Sequence, residues 1–122
     1  MFVLVDTSIW IDHISVANLA LARLLSKRQV LTHPFVIGEI AVGSLRNRSA
    51  ILEGLNEIRK IRMAHDDEVL ALINSAPLFG KGIGYVDAHL LASVRLTPGS
   101  TLWTRDKRLL AVAQEMSVAA AV

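Results

Sequence analysis

The sequence predicts an α/β protein built on a short, mostly parallel central sheet, and three observations lead there. Short apolar runs of β type, at residues 2–5, 30–32 and 101–104, alternate with longer stretches of helical spacing, the pattern of strand–helix crossovers. A length of 122 residues suits one core and is too short for two ordinary ones. Hydrophobic residues make up 52% of the chain and charged residues 20%, which excludes a disordered polypeptide. No linker, repeat or low-complexity tract divides the chain, so residues 1–122 are expected to form a single domain.

The elements follow in order. Phe2-Val3-Leu4-Val5 reads as a strand ending at Asp6-Thr7-Ser8, whose side chains are helix N-cap types. Ile9-Trp10-Ile11 opens a helix that breaks near residues 13–16, and Leu19, Leu21, Leu24 and Leu25 carry a second one to Lys27-Arg28. Val30-Leu31-Thr32 is the second strand. Pro34 suits a first helical turn, and Phe35 to Arg46 reads as that helix. Ile51, Leu55, Ile58 and Ile61 lie at helical spacing, which predicts a further helix to about Arg62. Asp66-Asp67-Glu68 places negative charge at a helix start, as the helix dipole prefers, with Val69 to Ala76 following. The loop Gly80-Lys81-Gly82-Ile83-Gly84 leads into a helix from Tyr85 to Leu96. After the Pro98-Gly99 turn come a strand at 101–104, a helix capped by Asp106 and running to about Met116, and a final strand within 117–122.

Composition excludes several classes of function. With no cysteine there is no disulfide framework, thiolate zinc site or thiol nucleophile. The apolar run at 69–80 is interrupted by Pro77 and falls short of the roughly 18 residues a membrane span requires. The opening residues MFVLVD carry no basic region, so a secretory signal is not expected and a cytoplasmic location is.

The chemistry is expected in four acids. Ligands bind beyond the carboxyl ends of the strands in open α/β sheets, and Asp6 and Asp106 follow the first and last well-defined strands. Each is also a good helix cap, which is the competing reading. Glu39 lies in Phe35-Val36-Ile37-Gly38-Glu39-Ile40-Ala41-Val42, a helix with almost no polar face, where an ionised carboxylate is costly unless paired or metal-bound. Its alternatives are a distant arginine partner or an escape to the surface beside Gly38 and Gly43. Asp87 has Leu90 and Leu91 at i+3 and i+4, although a place near a helix start also suits an acid. Four carboxylates packed together would repel unless a cation neutralised them. Oxygen ligands without cysteine or a histidine cluster favour Mg²⁺ or Mn²⁺. Such ions activate water and clamp phosphodiester oxygens, so the expected reaction is metal-dependent phosphodiester hydrolysis. Committing these four acids to one site leaves thirteen cations against seven acids elsewhere, a surface of +6 suited to an anionic partner.

The segments Val5-Asp6-Thr7-Ser8-Ile9-Trp10-Ile11, Glu39, Tyr85-Val86-Asp87-Ala88-His89-Leu90-Leu91-Ala92 and Trp103-Thr104-Arg105-Asp106-Lys107-Arg108-Leu109 resemble the PIN domain. Length and motif order are most similar to the VapC-type toxins of toxin–antitoxin pairs, and the resemblance spans the whole chain. It implies a three-layer α/β/α fold, an acidic Mg²⁺ or Mn²⁺ pocket, endoribonuclease activity on an RNA substrate, a homodimer and a cognate antitoxin protein. By position, Asp6, Glu39, Asp87 and Asp106 would be its catalytic and metal-site acids, with Ser8 and Thr104 its supporting hydroxyls.

Arg105, Lys107 and Arg108 flank Asp106 and are expected to meet substrate phosphates, while the basic stretch at 46–62 serves equally as a solvated face. The loop at 80–84 lacks the Walker A spacing and reads as a connection. His33, His65 and His89 are scattered singly and read as core or surface residues. An aspartyl-phosphate enzyme would want a second aspartate where Ser8 stands, or a phosphoacceptor in 52–62, which holds none. A non-catalytic or partner-regulated binding module is the remaining alternative.

Overall fold

The computed structural model describes all residues, 1–122. Seven helices and three strands follow the order β1 (Phe2–Val5), α1 (Thr7–Ser15), α2 (Leu19–Ser26), β2 (Val30–Leu31), α3 (Pro34–Ala41), α4 (Arg48–Glu57), α5 (Asp66–Ser75), α6 (Tyr85–Arg95), β3 (Ser100–Trp103) and α7 (Lys107–Glu115). The strands form a parallel sheet in the order β2-β1-β3, with Val3 beside Val30 and Val5 beside Trp103. The architecture is three-layered, α/β/α.

β1 holds the centre because it can be buried on both faces. Val3, Leu4 and Val5 are all apolar and all at most 1% exposed, as a strand covered by helices on both sides requires. Burying each such side chain contributes about 1.5–3 kcal/mol. α6 is the helical counterpart. Its residues Ala88 to Val94 are all buried, and it packs against α5 and β3. A helix apolar around its whole circumference belongs in the interior. No helix of the fold is long and apolar enough to cross a membrane.

Two expected helices end earlier than their periodicity suggests. α3 stops at Ala41, where the Arg48 guanidinium takes up the Ala41 carbonyl through Nε and Nη2 at 3.0 and 2.9 Å. α4 stops at Glu57, and the chain through Ile58–Ile61 runs alongside β2 instead of continuing as helix. The Thr32 N–H donates to the Arg59 carbonyl, and the Ile61 N–H donates to the Thr32 carbonyl. The outer edge of β2 would otherwise leave its amide groups unpaired, and that demand overrides the helical spacing of Ile58 and Ile61. At the opposite edge the expected final strand is a single bridge: Leu102 donates to the Val118 carbonyl and accepts from the Ala120 N–H.

Candidate functional site

The site is assembled at the carboxyl end of the sheet from four separate elements. Asp6 follows β1 and occupies the N-cap position of α1, yet its side chain makes no capping bond. Its Oδ2 instead accepts from the Ser8 hydroxyl at 2.9 Å and the Thr104 hydroxyl at 2.7 Å. The competing reading of Asp6 as a simple helix cap is therefore set aside. Thr104 Oγ1 in turn accepts from the Asp106 N–H at 3.1 Å, so one buried hydroxyl ties the end of β1 to the start of α7.

Asp106 behaves differently. Its Oδ1 accepts from the N–H groups of Arg108 and Leu109 at 2.9 and 3.0 Å, the N-cap arrangement expected of an aspartate there. Capping engages only that oxygen. Asp87, in the first turn of α6, accepts the Gly84 N–H on Oδ2 at 3.1 Å. Glu39 accepts the Thr7 hydroxyl on Oε1 at 2.8 Å. All four carboxylates thus have one oxygen fixed by a protein donor and a second with no donor from the protein. Glu39 is exposed rather than buried among its apolar neighbours, because Gly38 and Val42 share its open side of α3. Escape to the surface is the reading the structure supports.

The acids share one electrostatic field. Burial pushes the Asp87 carboxyl up from its ordinary range, the Gly84 amide pulls it partly back, and the charges of Asp6, Asp106 and Glu39 push it up again. None of the four carboxylates forms an ion pair with a protein cation. The donor set, carboxylate oxygens supported by hydroxyls, suits a hard divalent ion. As placed, no three acidic or imidazole side chains stand close enough to ligate one ion together.

The three expected phosphate-binding cations diverge. Arg105 is held by Asp12, with Nε 2.6 Å from Oδ2 and Nη2 3.3 Å from Oδ1. Lys107 is exposed and makes no ion pair, and Arg108 lies against the loop at Gly82. Within 46–62, Arg48 is spent on the end of α3, and Arg59 stacks 5.2 Å above the Phe2 ring at the amino end of the sheet.

His33 and His89 are core residues beneath the site. His89 Nε2 lies 3.1 Å from Asp66 Oδ1, and its ring packs edge-on against Phe35 and Tyr85. His33 caps α3 by accepting the Phe35 N–H on Nδ1, and burial together with nearby His89 pulls its pKa from 6.5 down to about 4. Sequence reasoning passed over Thr7 and Gly84 as donors to the acids. For Gly84 the signal was present: it stands three residues before Asp87, the spacing by which an acid in the first turn reaches back to the N-cap amide.

An α/β fold in which acids from two strand ends and two helices gather beside a parallel sheet, each oriented by a hydroxyl or amide, defines a class of protein with an acidic site. The chain belongs to the PIN domain family, whose model matches residues 3–115. It is similar to the protein named Ribonuclease VapC32 of Mycobacterium tuberculosis, in strains CDC 1551 / Oshkosh and ATCC 25618 / H37Rv. Identity to each is 45% over 119 residues, covering 98% of this chain and 96% of theirs.

Proposed function

We propose that this chain is a metal-dependent endoribonuclease hydrolysing RNA phosphodiester bonds, the toxin component of a type II toxin–antitoxin system. The observation that carries the reading is that carboxylates from four different elements share one field with no protein cation among them. Folding such a group of like charges together is unfavourable unless the site serves a positively charged ligand. The relatives' printed name, a ribonuclease, points to the same chemistry.

Asp6, Asp87 and Asp106 would hold Mg²⁺ or Mn²⁺ as a set, one or two of them directly and the rest through ion-bound water, and Glu39 would hold it in the same way or orient the attacking water. The bound ion supplies Lewis-acid polarisation of the phosphodiester and lowers the pKa of water. The protein's own part is orientation. Ser8 and Thr104 fix Oδ2 of Asp6 and leave Oδ1 for the ligand, and the Gly84 amide does the same for Asp87. Thr7 steadies Glu39. In this reading residues 1–122 act as one PIN-like domain, a cytoplasmic homodimer restrained by a cognate antitoxin protein.

The spacing of the acids is the one observation on the side of a non-catalytic binding module. One experiment separates the two. Purified protein is incubated with total cellular RNA in Mg²⁺, in Mn²⁺ and in EDTA, beside Asp87→Asn. Discrete products that require the metal and vanish in the variant are expected. Absence of both cleavage and metal binding would leave the binding module.

A further inference from the structure

The glycine loop at residues 80–84 is fastened along α7 rather than hanging free. Lys81 Nζ pairs with Glu115 Oε2 at 3.0 Å, near the far end of that helix. Gly82, at φ +77, sits directly on the Arg108 side chain. A Cβ there would stand 2.8 Å from Cδ, 3.0 Å from Nη1 and 3.2 Å from Nε of Arg108, so the flexible end of that side chain would have to move aside. The loop then ends at Gly84, whose N–H donates to Asp87, while the backbone N–H of Arg108 donates to Asp106. The Arg108 side chain therefore runs from one acid-bearing helix start to the loop that leads into the other.

Its guanidinium is exposed and takes part in no ion pair or hydrogen bond within the protein. Arg105, three residues earlier, is already bound to Asp12. Glu115, two helical turns along the same face of α7, is taken by Lys81. None of the four carboxylates pairs with the guanidinium. A cation inside that ring would compete with a metal ion. One on the helix that starts at Asp106, leaving the carboxylates free, can meet a phosphate neighbouring the one being cleaved, and a guanidinium offers two parallel N–H donors to its oxygens.

We propose that Arg108 forms a subsite for an RNA phosphate flanking the scissile one, and that Gly82 is its positioning residue, the missing Cβ allowing the loop to clamp the guanidinium at the rim. This rests on the ribonuclease reading above. Pre-placing a long side chain reduces the conformational freedom lost on binding, so the clamp strengthens the contact without touching the ligand.

The test is binding of a fluorescein-labelled single-stranded oligoribonucleotide across a series of KCl concentrations. The full chain carries Asp87→Asn in every sample so that nothing is cleaved. Arg108→Ala is expected to weaken binding about tenfold at low salt and to flatten the plot of log K against log salt by about 0.7, the loss of one single-strand phosphate contact. Arg108→Lys keeps the slope. Gly82→Ala removes no charge yet is expected to weaken binding and flatten the slope as well. Gly80→Ala is the control: Gly80 has the same left-handed backbone, φ +72, but open space where its Cβ would go, and its slope is expected to match the parent's. With Asp87 restored, Arg108→Ala should raise KM for RNA and leave kcat within about threefold, because the residue does not touch the reacting atoms.

An unchanged slope in Arg108→Ala overturns the subsite, and equal behaviour of Gly80→Ala and Gly82→Ala overturns the role of Gly82. If the natural chain cleaves RNA in a metal-dependent way while either result holds, only this inference falls. If the natural chain neither binds nor cleaves RNA, the ribonuclease reading falls with it.

Discussion

The two ends of the sheet are built from opposite charges and differ in shape. At the amino end a cavity of about 650 Å³ is lined by Phe2, Leu25, Val30 and Ile58 together with Arg28, Glu57 and Arg59. At the carboxyl end Asp6, Asp87, Asp106 and Glu39 gather with donors trained on each, and none of them lines that cavity. That cavity and the candidate chemistry are thus at different places. The reason lies in the parallel topology. Asp6 precedes α1, Asp106 precedes α7 and Asp87 sits in the first turn of α6, so the positive ends of three helix dipoles meet the acids. A parallel sheet with helical crossovers makes this end the one able to hold carboxylates together.

The contrast is broken most directly by removing a charge at each end. Asp6→Asn is expected to lower RNA cleavage by about a thousandfold while circular dichroism stays native, whereas Arg59→Ala leaves cleavage within about threefold. Comparable losses from both would show that the amino-end cavity belongs to the site. Next in size is Thr104→Val, which deletes both the donor to Asp6 and the acceptor for the Asp106 amide. Metal affinity or activity should fall about 10- to 100-fold, the usual effect of losing an orienting partner, measured by titration calorimetry with Mn²⁺.

Two pH effects sharpen the picture of the carboxyl end, because burial of His33 and partial burial of Asp87 favour their neutral forms. His33 titrates near 6.5 when unfolded and near 4 when folded, so the unfolded chain binds the extra proton between those values. Stability contributed by neutral His33 is complete above pH 6.5 and is lost as pH falls toward 4. Urea unfolding should show a decline of about 2–3 kcal/mol over that window, absent in His33→Asn, which keeps a cap for α3. Asp87 has the opposite sign. Its raised pKa contributes stability at low pH that disappears as pH rises through the folded value, so metal-free Asp87→Asn should gain on the natural chain toward neutrality. A parallel pH response of the two proteins would count against the shared acidic field. The smallest effect is expected at the other end, where Arg59→Ala removes a cation–π contact with Phe2 and should cost about 0.5 kcal/mol in the same assay.

Much of this molecule was legible from local pattern. The apolar run Phe2–Val5, the cap residues around Asp6 and Asp106, and the proline opening α3 specify their elements through contacts a few residues away. The four acids stood out because each sits where a charge is costly or at a strand end. The rest depended on partners distant in the chain. Helical spacing at Ile58 and Ile61 lost to the open edge of β2, a demand made by residues nearly thirty positions earlier. Between a buried Glu39 and one that escapes to the surface the sequence could not choose, and the exposed side it shares with Gly38 and Val42 decided it. Arg105 and Arg108 are alike as letters, and only the packing of Asp12 against one and Gly82 against the other separates them. The glycine loop read as a plain connection because no local rule announces that a missing Cβ makes room for an arginine from a helix beyond the next strand. Periodicity, capping and strand-end position were set by the chain's own order of residues, through interactions short enough to read along it. Which cation is free, which carboxylate oxygen is open and where a helix yields to an edge were settled by long-range contacts, because hydrogen-bond satisfaction and packing are decided among neighbours in space.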